Sequence, residues 1–550
     1  MRISRVLSLL FLMFAVMASM MAEAPDWAWA NSIAGYNSQS GTGIAMDAAG
    51  NSYATGYYSD DTNFGTLTLE NDATYDSYVL KLGPAGNWIW VRSAGEDELG
   101  NIRSYAIAVD TSGNSYVTGE FSSTVRFGSI ILTSTESSPG NFSADIFIAK
   151  LDPVGNWLWA RKAGGLQGDG GYGIATDTSG NCIVTGIFHG TATFGTNSLV
   201  SAGGQEIYVT KLDTDGNWLW AVRAGSPSTD SGSAIATDSA GNIYVTGYFS
   251  YPGSFGSIPL NNYGGYDVFI AKLDPSGTWL WAKKGGTADY DYGRGIAVDS
   301  SGNCYATGYY ANNAAWFGST RLPLIGQTDV FVVKLDTNGT WLWARNAGGT
   351  SQDMGYAIDT DSSGNVYLAG CLTIAGNFGE IALTANLRDV FAAKLDTDGN
   401  WLWAQKAGGG NWDYGYGVAA NDAGNCSLTG DYANDAYFGS TTLYGNTFSW
   451  DAYVAMLDSA TGGALPLPPD AVAASVSGDD IFLNWDDVTE DSSGNPITVH
   501  HYLVRYYPDD PAGTFSVFGE DGSITISQWT HTGAAALYGL GFYQVIAVTE

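Results

Sequence analysis

Histidine and cysteine occur only four times each in 550 residues, and 22 basic residues face 55 acidic ones. Each shortage excludes a class of function. Of His189, His500, His501 and His531, only the first precedes residue 459. The body of the chain therefore cannot build a multi-histidine metal site, and a Ser-His-Asp triad there would have to rest on His189 alone. Cys182, Cys304, Cys371 and Cys426 form no C-x-x-C pair and show no zinc-ligand spacing. GxSxG, HExxH and P-loop motifs are missing from any usable context. The net charge of −33 opposes phosphate, which argues against nucleic acid and anionic membrane surfaces as partners. Charged residues make up only 14% of the chain, whereas disorder requires many charges and few aromatics. After Met17 no long apolar run remains, so no membrane insertion is expected of the chain once its leader is removed.

Plentiful instead are Gly (73), Tyr (33) and Trp (19), the composition of many short strands joined by glycine turns. The start of the chain is different in kind. Arg2 and Arg5 precede the apolar run Val6 to Met17, and Ala22-Glu23-Ala24 offers a small-residue cleavage site. Residues 1–24 are read as a secretory signal peptide, which predicts an exported protein, periplasmic, secreted or held at the cell surface.

The motif W-x-W begins at Trp27, Trp88, Trp157, Trp218, Trp279, Trp341 and Trp401, at intervals of 60 to 69 residues, and uses fourteen of the 19 tryptophans. Between the pairs one unit recurs: "GIAVDSSGNCYATGYY", a loop carrying "FGS", then "DVFVVKLDTNGTWLWAR". Each unit reads as four antiparallel strands. The D-S-S-G-N and D-P-S-G-N links are turns in which Asp accepts local backbone bonds and Gly supplies the left-handed residue. Seven such units predict an all-β, seven-bladed propeller over residues 25–458. The chain opens with a lone fourth strand at Trp27–Ala30 and the last unit lacks one, so pairing the two would close the ring.

The elements "AVDSSGN", "YVTG", "FIAKLD" and "WLWA" make residues 27 to 458 similar to the seven-bladed β-propeller repeat family of bacterial exported proteins, and more distantly to NHL repeats. The resemblance implies the fold. It implies a binding or surface role only in general terms, because propellers host enzymes and scaffolds alike. In this frame Cys182, Cys304 and Cys426 occupy one position in non-adjacent blades, too far apart to bridge, and are expected to be buried thiols. A Gly/Pro-rich linker follows at 459–470. Residues 471–550 alternate like strands, carry Trp485, and resemble a fibronectin type III β-sandwich.

Function must then come from the faces of the propeller. The turn aspartates Asp47, Asp110, Asp177, Asp238, Asp299 and Asp361 would ring one face. Calcium is the cofactor such a ring could take, although each loop supplies a single carboxylate; ordinary turn chemistry is the competing account. The opposite face varies between units. Five residues before each turn Asp, or before Asn421 in the last unit, where the chain enters the first strand, stand Thr42, Tyr105, Tyr172, Ser233, Arg294, Tyr356 and Tyr416. With Asp291, Tyr292, Trp412, Asp413 and Tyr414 beside them, they form a candidate mouth for a polar ligand with stacking faces, a glycan or a protein. Asp359 replaces an alanine found in the other units and could face the channel. His189 is expected in an exposed loop. The sequence points to a non-enzymatic, exported binding or adhesion protein. The alternatives are a polysaccharide lyase or hydrolase using mouth Tyr, Arg and Asp groups, and a structural envelope component.

Overall fold

The computed structural model describes residues 25–71, 74–95, 100–445 and 449–458, together with six strands between 473 and 548. Residues 1–24, read as a signal peptide, residues 459–470, read as a linker, and Trp485 lie outside the described residues. The chain divides into two compact units, one spanning 24–461 and the other containing 462–550. Every described element is a β-strand.

In the large unit one sheet pattern repeats. The fourth copy is typical: Ser231–Thr237, Ile243–Phe249, Asp267–Leu273 and Trp279–Gly286 pair antiparallel in chain order. The last copy takes its fourth strand from the N-terminus: Asp26–Ala34 pairs with Trp450–Asp458, from Asp26↔Asp458 to Ile33↔Ala452.

The turns form for local reasons. Asp238 Oδ1 accepts the amides of Ala240 (3.0 Å) and Asn242 (2.9 Å), and Oδ2 accepts the Asn242 side chain (2.7 Å) and the Tyr244 hydroxyl (3.1 Å). Lys272 reaches the same carboxylate at 3.6 Å while lying over the Tyr244 ring. Gly241 takes the left-handed position at φ 80°, where a side chain would be strained. The proposed acidic ring is thus consumed by the turns themselves.

The W-x-W motif joins neighbouring units. In Trp279-Leu280-Trp281 the first ring meets Phe255 of its own unit edge-on at 5.1 Å. The second donates Nε1–H to the Thr337 carbonyl in the next unit's turn at 3.1 Å, while Leu280 between them points to solvent. The F-G-S segments, read as loops, are small hairpins instead: Gly253–Phe255 pairs with Ile258–Leu260 around Gly256. Each hairpin also adds to the preceding unit's fourth strand, here Ala224↔Phe255. Strands of three residues are too short to show periodicity, and their partner lies in another repeat. The insertion near Ser137 to Ser143 is likewise a hairpin, Glu136–Ser138 with Asn141–Phe142.

All four cysteines are buried thiols, pushed up to about 12 by burial. His189, expected in a loop, lies within the strand Cys182–Phe194.

In the C-terminal unit the six strands form two three-stranded antiparallel sheets. Asp480–Asn484 pairs with Ala473–Ser477 and Gln528–His531; His501–Tyr507 pairs with Ser516–Phe518 and Phe542–Val548.

Candidate functional site

The first strand of every unit carries a β-bulge at the same point. The register shifts fall between Gly41/Gly43, Ser104/Ala106, Gly171/Gly173, Gly232/Ala234, Gly293/Gly295, Gly355/Ala357 and Gly415/Gly417. The extra residues are Thr42, Tyr105, Tyr172, Ser233, Arg294, Tyr356 and Tyr416, the seven singled out by counting back from the turns. All seven are half-buried. A bulge re-aims one side chain without breaking the strand. Here it allows first strands of adjacent units to pack closely: a Cβ on Gly295 would lie 3.0 Å from the Ile358 amide nitrogen.

Five of the seven gather in three aromatic clusters, while the Thr42 hydroxyl donates to the Ser104 and Thr55 carbonyls. Tyr105 and Tyr172 meet edge-on at 5.4 Å, and the Tyr105 hydroxyl donates to Glu120 (2.8 Å), which also faces Arg103 at 3.6 Å. Tyr414 stacks on Tyr416 at 5.4 Å, and Tyr356 meets Tyr416 at 5.2 Å. Half-exposed Trp412 stands beside them with the Arg388 guanidinium 4.9 Å from its ring. Arg388 is fully engaged: Nε donates to Thr373, Nη1 to the Tyr414 hydroxyl and Nη2 to Gln352. In the third cluster Tyr292 packs against Tyr309 (5.0 Å) and Tyr248 (5.0 Å), with Arg294 over Tyr292 and Tyr309. Burial and the surrounding tyrosines push the Tyr292 hydroxyl up to about 12, and burial raises Tyr105, Tyr172, Tyr356 and Tyr416 as well. With raised pKa values these phenols hold their protons and act as hydrogen-bonding groups.

Three predicted site residues require correction. Asp291 and Asp413 are completely buried and do not reach the mouth. Asp291 accepts Thr287 N (2.5 Å), Thr287 Oγ1 (3.2 Å) and Ala311 N (3.2 Å); Asp413 accepts Gly409 N (2.7 Å) and Ala433 N (3.2 Å). They fix the loop entering the first strand, as Asp169, Asp230 and Asp353 do in their units. All five stand eight residues before the turn residue, a regularity legible in the sequence. Asp359 is also structural, accepting the amides of Thr360 and of Ala420 in the next unit, each at 2.8 Å. Burial raises its carboxyl to about 6. Among the described residues no group of three or more His, Cys, Asp or Glu could hold a metal ion.

Sequence reasoning missed Tyr248, Tyr266, Tyr290, Tyr309 and Arg388. Tyr290 and Tyr266 are brought together by a parallel bridge between the loop and the start of the third strand, and their rings lie 5.1 Å apart. Tyr266 then meets Tyr248 (4.9 Å) and Tyr292 (5.7 Å). Beside this cluster opens a cleft of about 410 Å³ lined by Ser228, Ser250, Tyr251, Asn262, Tyr266 and Tyr290. Tyr251 and Tyr290 are 62% and 54% exposed, so their faces are free for stacking. The only available signal was tyrosine density across two loops distant in sequence.

Residues 89–120, 219–248 and 281–309 match the family described as a beta-propeller repeat. The chain carries β-propeller repeats. This repeat protein is 28% identical over 239 residues to an uncharacterized WD repeat-containing protein of Acanthamoeba polyphaga mimivirus, an alignment covering 36% of this chain and 17% of the relative. It is 25% identical over 390 residues to the regulatory protein FlaEY of Caulobacter vibrioides, covering 66% of this chain and 39% of the relative. The repeat protein therefore spans well under two thirds of either relative. Among solved structures, Sqt1 from Chaetomium thermophilum aligns with 79% of this chain and 99% of its own at 10% identity and a TM-score of 0.39, a likeness that carries no functional argument.

Proposed function

We propose that this protein is an exported, non-enzymatic saccharide-binding protein, built as a closed seven-bladed propeller followed by a fibronectin type III-like module. Closure is supported by the pairing of Asp26–Ala34 with Trp450–Asp458 and by contacts between the first strands of the last and first units. The sandwich reading is supported by the two C-terminal sheets, whose strand orders are first-second-fifth and fourth-third-sixth.

The observation that carries the function is the aromatic track. It runs from exposed Tyr251 and Tyr290 in the cleft, through Tyr266, Tyr248 and Tyr292, to the bulge residue Arg294. Sugar rings stack on such faces, and Ser228, Ser250 and Asn262 supply hydroxyl and amide partners for sugar hydroxyls. The enzymatic reading is weakened by the burial and saturation of Asp291 and Asp413. Glycan-array binding of residues 25–550 tests the proposal. Saturable binding that falls with Tyr290→Ala or Trp412→Ala, in variants that still fold, supports it. A blank array together with capture of a polypeptide partner would replace it with protein recognition.

A further inference from the structure

Three arginines stand among the aromatic clusters, and they differ in what satisfies them. Arg103, whose buried Nε also meets no acceptor, faces the carboxylate of Glu120 at 3.6 Å. Arg388 spends Nε, Nη1 and Nη2 on Thr373, Tyr414 and Gln352. Arg294 has neither arrangement. Its Nη2 donates to the Tyr309 hydroxyl at 3.0 Å, its buried Nε meets no acceptor, and among the described residues no carboxylate pairs with it. The guanidinium lies 5.1 and 5.5 Å from the rings of Tyr292 and Tyr309, with Tyr248 and Tyr356 also near enough to interact electrostatically.

None of the acidic side chains among the described residues pairs with this guanidinium. Ring faces compensate a buried cation only in part. The full partner of a guanidinium is a planar oxyanion bound through two parallel N–H···O bonds. Arg294 is also the residue displaced by the bulge between Gly293 and Gly295, at the inner end of the tyrosine track. A ligand lying along that track would bring a substituent to this point.

Resting on the saccharide reading above, we propose that the ligand is an acidic polysaccharide whose uronate carboxylate pairs with Arg294 while neighbouring sugar rings stack on Tyr292, Tyr266 and Tyr290. Arg294 then sets specificity, selecting charged over neutral chains. The overall negative charge of the protein makes this a short-range recognition, because distant parts of such a ligand are repelled.

The test is calorimetric titration of residues 25–550 with polygalacturonate, alginate, carboxyl-reduced polygalacturonate, dextran and poly-glutamate, alongside Arg294→Gln and Arg294→Lys. The expected result is binding of at least one uronate polymer, weakened about tenfold or more by Arg294→Gln and partly retained by Arg294→Lys. Where polygalacturonate is the ligand, its carboxyl reduction should weaken wild-type binding equally, a readout independent of whether a variant folds. Equal affinity for dextran and the uronate polymers, unaffected by Arg294→Gln, overturns the inference and leaves the saccharide reading standing. Binding of poly-glutamate with none of the polysaccharides overturns both.

Discussion

Gly408 and Asp413 are built for one another: the glycine holds φ at 144°, and a Cβ there would lie 2.5 Å from Oδ2 of the buried carboxylate. The same pairing recurs as Gly164 with Asp169 and Gly348 with Asp353, at 2.9 Å in both. The missing side chain lets the loop carboxylate sit beside the end of the fourth strand and bond the next amide.

Gly408→Ala should therefore destabilise the protein by about 1–3 kcal/mol or more, combining backbone strain with a steric contact. Gly410, with open space around it, is the control and should tolerate alanine almost neutrally. Urea unfolding of the two variants checks this; equal midpoints would refute it.

Stability should rise on mild acidification. Burial raises Asp169, Asp267, Asp291, Asp413 and Asp431 to about 7, against an ordinary value near 3.8. Between those limits the folded state holds protons that the unfolded chain releases, so raising pH through the window removes stability. Melting at pH 5.5 should exceed melting at pH 8, and should still do so in high salt, which screens surface charge more than buried groups. A lower melting temperature at pH 5.5 would contradict this account.

Trp159→Ala should cost about 3–5 kcal/mol, because the buried ring packs against Gly216 and donates to the Thr214 carbonyl at 3.0 Å in the next unit. Leu158→Ala, half-exposed between the two tryptophans, should change stability by less than about 1 kcal/mol. Chemical denaturation of the pair separates an architectural W-x-W from a ligand-stacking one.

Chelation should leave the propeller unit unaffected. Asp238 and its counterparts already receive turn amides, an asparagine and, in several units, a tyrosine and a lysine. Thermal melts with and without EDTA should superimpose. A clear loss of stability with EDTA would place a cation at carboxylates assigned here to turns.

The sequence by itself determined the repeat, the strand order and the turns. Asp238 bonds partners within six residues, and the conformation of Gly241 is a local property of the chain. The seven positions read as a mouth could be counted from those turns, and the structure shows that they are the bulged residues. Tertiary structure decided what each residue there does. Asp291 resembles a ligand-binding acid in sequence, but amides of its own loop and of Ala311, twenty residues away, enclose it. Tyr290 joins the site because its loop bridges to Tyr266 at the start of another strand. Arg103, Arg294 and Arg388 are equivalent as letters. They differ because Glu120 approaches the first and Tyr414, Thr373 and Gln352 surround the third, whereas among the described residues packing brings no acid to Arg294. Burial and charge compensation arise from residues that meet only after the units have packed, so no local pattern encodes them.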